Sequence, residues 1–529
     1  MKETKLTDQE LEIIDQNNGL KMYLDGLSTG KEPTIRSNLY NLDGKTELLS
    51  PDEILERWMK QLSALEQGDT FSKEVFHFDS HQLEKWGPQG GVAPIADIMD
   101  EVVLPTFLQE GSRPPAFNYA NWKQAKKNVT RYLFNAGCVR LQPVSYNRVV
   151  DDMRARDTLD SNSGWPLFTG RKKPEVIEAS IRDAMNGQWK SYPAIALFRN
   201  YNQKTRLVWM FPMSANLVEG SFFQPLQRIL MNSEYADEFL APWKGFEQVR
   251  DLATIQYKSG KFMAASDFSS TDAHFQLNTS LEVFDVLRYC FQKKYWGALL
   301  ESITYMHEIP LVVSRTTKLT GEHGVSSGSN WTNFIETIFD WILAEYVRLD
   351  STYAGLYAIG DDMSWYSTSY DEQFSTYLDK VGESVGQVIK AEKTTNDRDK
   401  VKSLQRLFQR GYVRPDGRIR AVYSTVRALK SLVYPERFHK PEVWSKDMEA
   451  IRAFMILENC VDHPLFETFC DFVGKGDPHL SEFANYSKHR QDELLAKSRA
   501  VRGLNSTYNQ EKRDQKLSSF ESLKYFQKR

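Results

Sequence analysis

The chain holds only four cysteines, Cys138, Cys290, Cys460 and Cys470, far apart and without a CxxC pair. That spacing excludes a disulfide framework and a zinc knuckle, and free buried thiols are the expected state. No uninterrupted apolar run approaches the roughly 18 residues of a membrane-spanning helix, so no membrane association is expected. The amino-terminal residues up to Leu6 are polar, with neither an apolar signal core nor a small-residue cleavage site, which predicts a cytosol-like compartment. A GxxxxGK[ST] loop is missing, which disfavours a helicase or packaging ATPase. Bulk positive charge is missing as well: 67 Lys and Arg stand against 70 Asp and Glu, so any polyanion site must be local. There is no internal repeat and no low-complexity tract.

What is present is a globular composition, 41% hydrophobic and 26% charged over 529 residues, enough for several cores. Ser50-Pro51-Asp52-Glu53 makes a capping box with Pro at the first helical position, and Ile54, Leu55, Trp58, Met59, Leu62 and Leu65 follow at helical spacing. Breakers at 86–91 and 111–115 mark 1–115 as an extension wrapped onto a larger body. Residues 116–260 mix short elements with basic residues, including a strand-like run from Thr205 to Phe211. In 261–415 strands alternate with amphipathic helices, expected at Phe284 to Trp296 and at Asn330 to Leu349. Residues 416–529 read as helical, for instance Lys446 to Cys460. They end in a basic tail from Tyr486 to Arg529 with 11 Lys or Arg against five Asp or Glu and little apolar periodicity.

The chemistry-bearing residues sit in the third block. A strand-like run from Lys261 to Ser266 delivers Asp267 to a strand end, a rigid place for a metal ligand, with Asp272 five residues on. Tyr353 to Ile359 leads into Gly360-Asp361-Asp362, a tight hairpin with two carboxylates at its tip. Each motif alone is weak and reads more readily as a solvated turn. Between them lies His323-Gly-Val-Ser-Ser327-Gly328-Ser-Asn-Trp-Thr332-Asn333, a small-residue loop running into a long helix, where amides and hydroxyls can approach a nucleotide. His77 and His81 have metal-like spacing without the Glu of a zinc hydrolase, so a surface or core pair is expected. His274, His323, Trp296, Trp331 and Trp365 read as packing or hydrogen-bonding residues.

The order DxxxxD, SGxxxT opening a helix, then GDD in a hairpin resembles motifs A, B and C of viral RNA-dependent RNA polymerases. Within that family the sequence is most similar to polymerases of small double-stranded RNA viruses, the picobirnaviruses and their partitivirus relatives. The resemblance extends to Ser163-Gly164-Trp-Pro166 (motif G, template entrance), Arg199 with Lys204 and Arg206 (motif F), Lys390 to Lys393 (motif D) and Phe408-Gln-Arg410 (motif E, primer grip). It implies an α+β right-hand fold with fingers, an antiparallel palm sheet and a helical thumb, closed by the N-terminal extension. The implied division is 1–115 extension and fingertips, 116–260 fingers with a first palm segment, 261–415 palm with a finger insertion at about 297–325, and 416–529 thumb and tail.

The implied activity is RNA-directed synthesis from NTPs with two Mg²⁺ or Mn²⁺ ions, about 3.5 to 4 Å apart in such enzymes. It serves transcription and genome replication inside a capsid in the host cytoplasm. Partners would be template and nascent RNA, NTPs and a capsid protein. By resemblance Asp267, Asp361 and Asp362 hold the metals, and Lys393 or Lys390 protonates pyrophosphate. Arg199, Lys204 and Arg206 neutralise the triphosphate, Asp272, Ser327, Thr332 and Asn333 meet the ribose, and Ser163, Gly164, Pro166, Gly328 and Arg410 contact template or primer. One departure stands out: Glu336 occupies the place where many positive-strand virus enzymes carry Asn, leaving Asn333 or Asn330 to substitute. A reverse transcriptase and a non-catalytic RNA-binding protein remain rivals. The basic tail is expected either to fold toward the RNA channel or to tether RNA.

Overall fold

A computed structural model describes residues 1–34, 39–40, 49–107, 113–437, 439, 442–501 and 515–528. The breaker at 111–112 and the tail segment 502–514 lie outside the described residues. Among those described, the strands group into three sheets.

The first sheet has the order β1-β6-β5-β2-β3 and gathers distant sequence: β1 (Lys2–Lys5), β2 (Ala194–Tyr201), β3 (Lys204–Met210), β5 (Leu311–Val312) and β6 (Thr317–Thr320). β2 and β3 form a hairpin whose two loop residues, Asn202 and Gln203, both take positive φ, as a tight antiparallel turn requires.

The second sheet, order β7-β8-β4-β9, is antiparallel throughout: β4 (Phe262–Asp267), β7 (Tyr353–Ile359), β8 (Asp362–Ser367) and β9 (Thr395–Asn396). Alternation along its strands sends Ala264, Ala358 and Trp365 into one core and Met263, Ala265 and Tyr357 into another. Both faces are thus buried, which explains why β4 reads as a continuous apolar run. The helix Trp331–Arg348, apolar on most of its circumference, packs against β7 and against the helix Ala120–Asn135.

The third sheet, β10 (Lys400–Ser403), β11 (Arg406–Gln409) and β12 (Val422–Tyr423), leads into a helical region. That region is closed by the N-terminal segment. Trp58, on the helix Pro51–Leu62 that the capping box predicts, packs on Phe469 and Phe472 with ring centroids 4.8 and 5.3 Å away. Asp79, fully buried, accepts from Thr425 Oγ1 at 2.7 Å and from Val426 N at 3.0 Å, capping the helix Thr425–Val433 from 346 residues away in sequence. His463 Nε2 lies 2.7 Å from the same carboxylate.

Two expectations are corrected. The helix expected at Phe284 to Trp296 is two helices, Leu277–Leu287 and Trp296–Glu308. The backbone between them is claimed by Leu141, which donates to Cys290 O at 2.8 Å and accepts from Gln292 N at 3.0 Å. The tail is not without periodicity: it contains the helices Lys488–Ser498 and Glu521–Gln527, and Leu517, Phe520, Leu523 and Phe526 are buried in the helical core. The carboxylate of Glu458 accepts from Glu521 N and Ser522 N, capping the last helix. All four cysteines are free and buried.

Candidate active site

The site is built from the end of β4 and the β7–β8 loop. Asp267 pairs across the strands with Asp362, and Ile359 pairs with Asp362, leaving Gly360 and Asp361 as a two-residue loop. Gly360 takes φ +57°, a conformation that favours glycine, and its N–H donates to Thr337 Oγ1 at 2.9 Å. Asp361 is steadied from the other motif: Thr271 Oγ1 donates to its Oδ2 at 3.1 Å and Phe268 N to its carbonyl at 3.3 Å. Asp267 and Asp362 line a cavity of about 800 Å³ together with Lys393, Lys85, Lys402 and Arg427.

Crowded carboxylates resist ionising. Desolvation by the cavity walls, together with Asp361 and Asp267, pushes Asp362 up to about 7. Burial raises Asp272 to about 6, with Asp361 raising it further and Arg206 and Lys204 opposing. Asp267 is raised by desolvation and by Asp361, against the pull of Lys393 and Lys204. Such a cluster favours a cation among its oxygens, and hard carboxylate ligands suit Mg²⁺ or Mn²⁺. Among the described residues no three acidic, His or Cys side chains already converge as a closed metal cage.

The Ser327–Gly328 loop packs behind this edge. A Cβ on Gly328 would stand 1.6 Å from Trp209 O, so the backbones touch and only glycine fits. Ser327 Oγ donates to Leu207 O at 3.0 Å, anchoring the loop to β3. Thr332 Oγ1 donates to Ser326 O at 2.7 Å, so it holds the loop rather than facing a nucleotide. Asn333 is exposed, and its Nδ2 would lie 2.9 Å from a Cβ on Gly360; Glu336 Oε2 would lie 3.4 Å from it. Both therefore border the carboxylate loop, whereas Asn330 Nδ2 turns away to Asn216 O at 3.2 Å. Burial and the surrounding acids hold the Glu336 carboxyl well above its usual range. A carboxyl in the protonated form that this shift favours offers one donor and one acceptor, the same pair an Asn amide presents.

A family model for viral RNA-dependent RNA polymerases matches residues 201–464, a span that contains this whole constellation. The chain belongs to the viral RNA-dependent RNA polymerases. A potential RNA-dependent RNA polymerase of human picobirnavirus is 26% identical over 500 residues, covering 87% of this chain and 85% of that one. The crystal structure of the RNA-dependent RNA polymerase of a human picobirnavirus matches with a TM-score of 0.80 at 22% identity, covering 99% of this chain and 100% of that one. Its insertion-loop deletion mutant matches equally. These likenesses show the right-hand fold, with the four-stranded antiparallel sheet as palm. The family generally uses divalent metal ions.

The remaining residues of the polymerase divide between the cavity and the scaffold. Lys393 lines the cavity, with Nζ 3.4 Å from Ser269 Oγ, whereas Lys390, before the short turn Ala391–Lys393, does not line it, although both lysines are exposed. Lys204 and Arg206 on β3 act on the palm aspartates. Arg199, their neighbour on β2, does not line this cavity: it makes a bidentate pair with Glu436 at 2.7 and 2.8 Å. It borders a second cavity of about 460 Å³ beside Tyr201, Tyr423 and Arg427. Arg410 is spent on structure, donating to Lys261 O at 2.8 Å and Arg398 O at 3.0 Å. Ser163 and Gly164 are buried inside their own turn, where Ser163 Oγ accepts from Thr169 N at 3.2 Å; Pro166 is half-buried.

Sequence reasoning missed the cations that share the cavity wall. Lys85 comes from the N-terminal extension, Lys402 from β10 and Arg427 from the helix Thr425–Val433. Lys430, one turn beyond Arg427, is lowered to about 7 by burial and by Arg427 and Lys85. No local motif marks these positions, because each reads as an ordinary helix or strand charge until the extension folds over the thumb.

His77 and His81 are exposed on the helix Thr70–His81. His323 is buried, with ring nitrogens 2.9 Å from Gly324 O and 3.0 Å from Ile309 O. Trp331 and Trp365 donate to Ser302 Oγ and Ser266 Oγ, each at 2.9 Å.

Proposed function

We propose that this polymerase copies an RNA template by adding NTPs to the 3′-hydroxyl of growing RNA with two Mg²⁺ or Mn²⁺ ions. The observation that carries the reading is the acidic edge where Asp267 pairs with Asp362 next to Asp361, with Asp267 and Asp362 lining a cavity that Lys85, Lys393, Lys402 and Arg427 also line. When bound, the ions activate the attacking hydroxyl and stabilise the leaving pyrophosphate. Asp267 and Asp361 hold them and Asp362 assists. Lys393 stands beside these carboxylates and supplies the proton that pyrophosphate needs to leave. Lys204 and Arg206 neutralise the triphosphate, and Asp272, Asn333 and Glu336 meet the ribose, where a 2′-hydroxyl distinguishes RNA from DNA precursors. Lys85, Lys402 and Arg427 meet phosphates of the growing strand.

The likeness to the picobirnavirus enzyme supports a finer assignment. The substrate is a double-stranded RNA genome, transcribed and replicated without a primer inside the virion, in association with capsid protein, in the host cytoplasm. No described helix is long and apolar enough to cross a membrane.

The test is incorporation of labelled NTPs against dNTPs on a single-stranded RNA template without added primer. NTP incorporation that requires the template is expected. Preferential dNTP incorporation would favour a reverse transcriptase, and RNA binding without synthesis would favour the non-catalytic rival.

A further inference from the structure

Glu219 is a buried acid that the chemistry above does not use. It sits on the helix Met213–Met231 with 2% of its surface exposed. Burial raises it to about 7, and the donors around it oppose that rise. Its Oε1 accepts from Asn216 Nδ2 at 2.8 Å and from Asn330 N at 3.3 Å, and its Oε2 accepts from Ser329 Oγ. Ser329 Oγ in turn accepts from Trp331 N at 3.0 Å. A carboxylate from one helix thus satisfies the open amino end of the helix Trp331–Arg348 and fixes the loop carrying Ser327 and Gly328.

The same cluster reaches the 162–166 loop. Asn216 Nδ2 also donates to Gly328 O at 3.3 Å, while its Oδ1 accepts from Arg171 Nη2 at 2.8 Å. Arg171 Nε donates to Asn162 O at 2.9 Å, and Asn162 Oδ1 accepts from Gly164 N at 2.8 Å. The Met213–Met231 helix joins at its start as well, since Met213 N donates to Ser163 O at 2.9 Å. A continuous chain of hydrogen bonds therefore runs from Gly164 through Arg171, Asn216 and Glu219 to Ser329.

We infer that Glu219, Asn216 and Arg171 are positioning residues that hold the 162–166 loop and the 327–330 loop in one register. Template placement and ribose recognition then depend on each other. The inference rests on the proposed reading of Asn333 and Glu336, just past the second loop, as ribose contacts and on the resemblance of 163–166 to a template entrance, and it adds the side chains that couple the two loops. None of the three touches the reacting atoms. Their effect falls on how tightly and how selectively the nucleotide is held, not on the chemical step.

The experiment compares wild type, Glu219→Gln, Arg171→Ala and the double variant, after thermal melts establish folding. Gln keeps the shape of Glu219 but places a donor amide among donors. Each single variant is expected to raise the NTP KM about tenfold, the size of one lost charge-assisted hydrogen bond, and to weaken NTP-over-dNTP selectivity, with kcat within about threefold of wild type. The double variant is expected to be no worse than the worse single, as for members of one network. Glu219→Asp, which restores the charge, should recover selectivity in part.

Unchanged selectivity with lowered kcat would overturn the inference in favour of plain structural support, and additive losses would overturn the coupling. If Glu219→Gln does not fold, selectivity in Arg171→Ala decides alone. An inactive wild type would instead count against the proposed function, so the two failures are distinguishable.

Discussion

The palm carries two acidic groups in opposite surroundings. Asp267 and Asp362, with Asp361 beside them in the strand loop, edge a cavity whose wall holds Lys393, Lys85 and Arg427, while Glu336 and Asp340 are shut into the packing of the helix Trp331–Arg348. Asp340 has no exposed surface, and neither of its carboxyl oxygens has a hydrogen-bond partner. Burial and the neighbouring acids hold it, like Glu336, well above the usual carboxylate range. The same functional group thus meets Lys393 and Lys204 on one side and only other acids on the other, and what differs is access to positive charge.

Amide substitutions sharpen this contrast most. Asp361→Asn keeps the shape and removes the ligand charge, and RNA synthesis is expected to fall on the order of a thousandfold or more. Glu336→Gln keeps the neutral donor and acceptor, and synthesis should stay within about threefold; equal losses in steady-state incorporation would erase the distinction. Next come the cations that only the open group can recruit. Lys393→Ala is expected to lower kcat by about a hundredfold, the range of a general acid, and Lys390→Ala by less than about twofold. Reversed effects would move the proton donor to Lys390, which does not line the cavity.

A smaller effect separates two arginines that face each other on β2 and β3. Arg206→Ala is expected to raise the NTP KM about tenfold. Arg199→Ala, whose charge is already committed to Glu436, should raise it less than about threefold. Comparable rises would show that Arg199 leaves Glu436 to bind nucleotide.

The smallest effect lies in the buried group and depends on pH. An acid whose folded pKa is raised adds no penalty below its ordinary range, and stability is lost as pH climbs from there toward the raised value. Asp340→Asn cannot ionise. It should match wild type at or below about pH 4 and melt a few degrees, about 2–4 °C, higher at pH 8. Parallel melting curves across that range would show that Asp340 is not held neutral by its surroundings.

Much of the palm was legible because its signals are local. A strand end, a two-residue Gly-Asp loop and a small-residue loop before an apolar helix each announce themselves in consecutive residues, and the structure places Asp267, Asp361 and Asp362 at one edge. What was not legible depends on partners far away in sequence. Arg199 meets Glu436 only because the β2–β3 hairpin reaches the thumb, and Arg410 turns inward to carbonyls of Lys261 and Arg398. Lys85 joins the site only because the N-terminal extension folds over it. The carboxy-terminal helix Glu521–Gln527 was not legible because the four buried apolar residues of this stretch, Leu517 and Phe520 before the helix and Leu523 and Phe526 within it, are scattered among Lys and Ser, so composition hid the pattern that packing reveals.

The most direct measurement is template-dependent incorporation of labelled NTPs with Mg²⁺ or Mn²⁺ by wild type and by Asp361→Ala plus Asp362→Ala, with both shown to be folded and to bind RNA. The account predicts metal-dependent synthesis by wild type and none by the double variant. Synthesis that survives the loss of both carboxylates would contradict it.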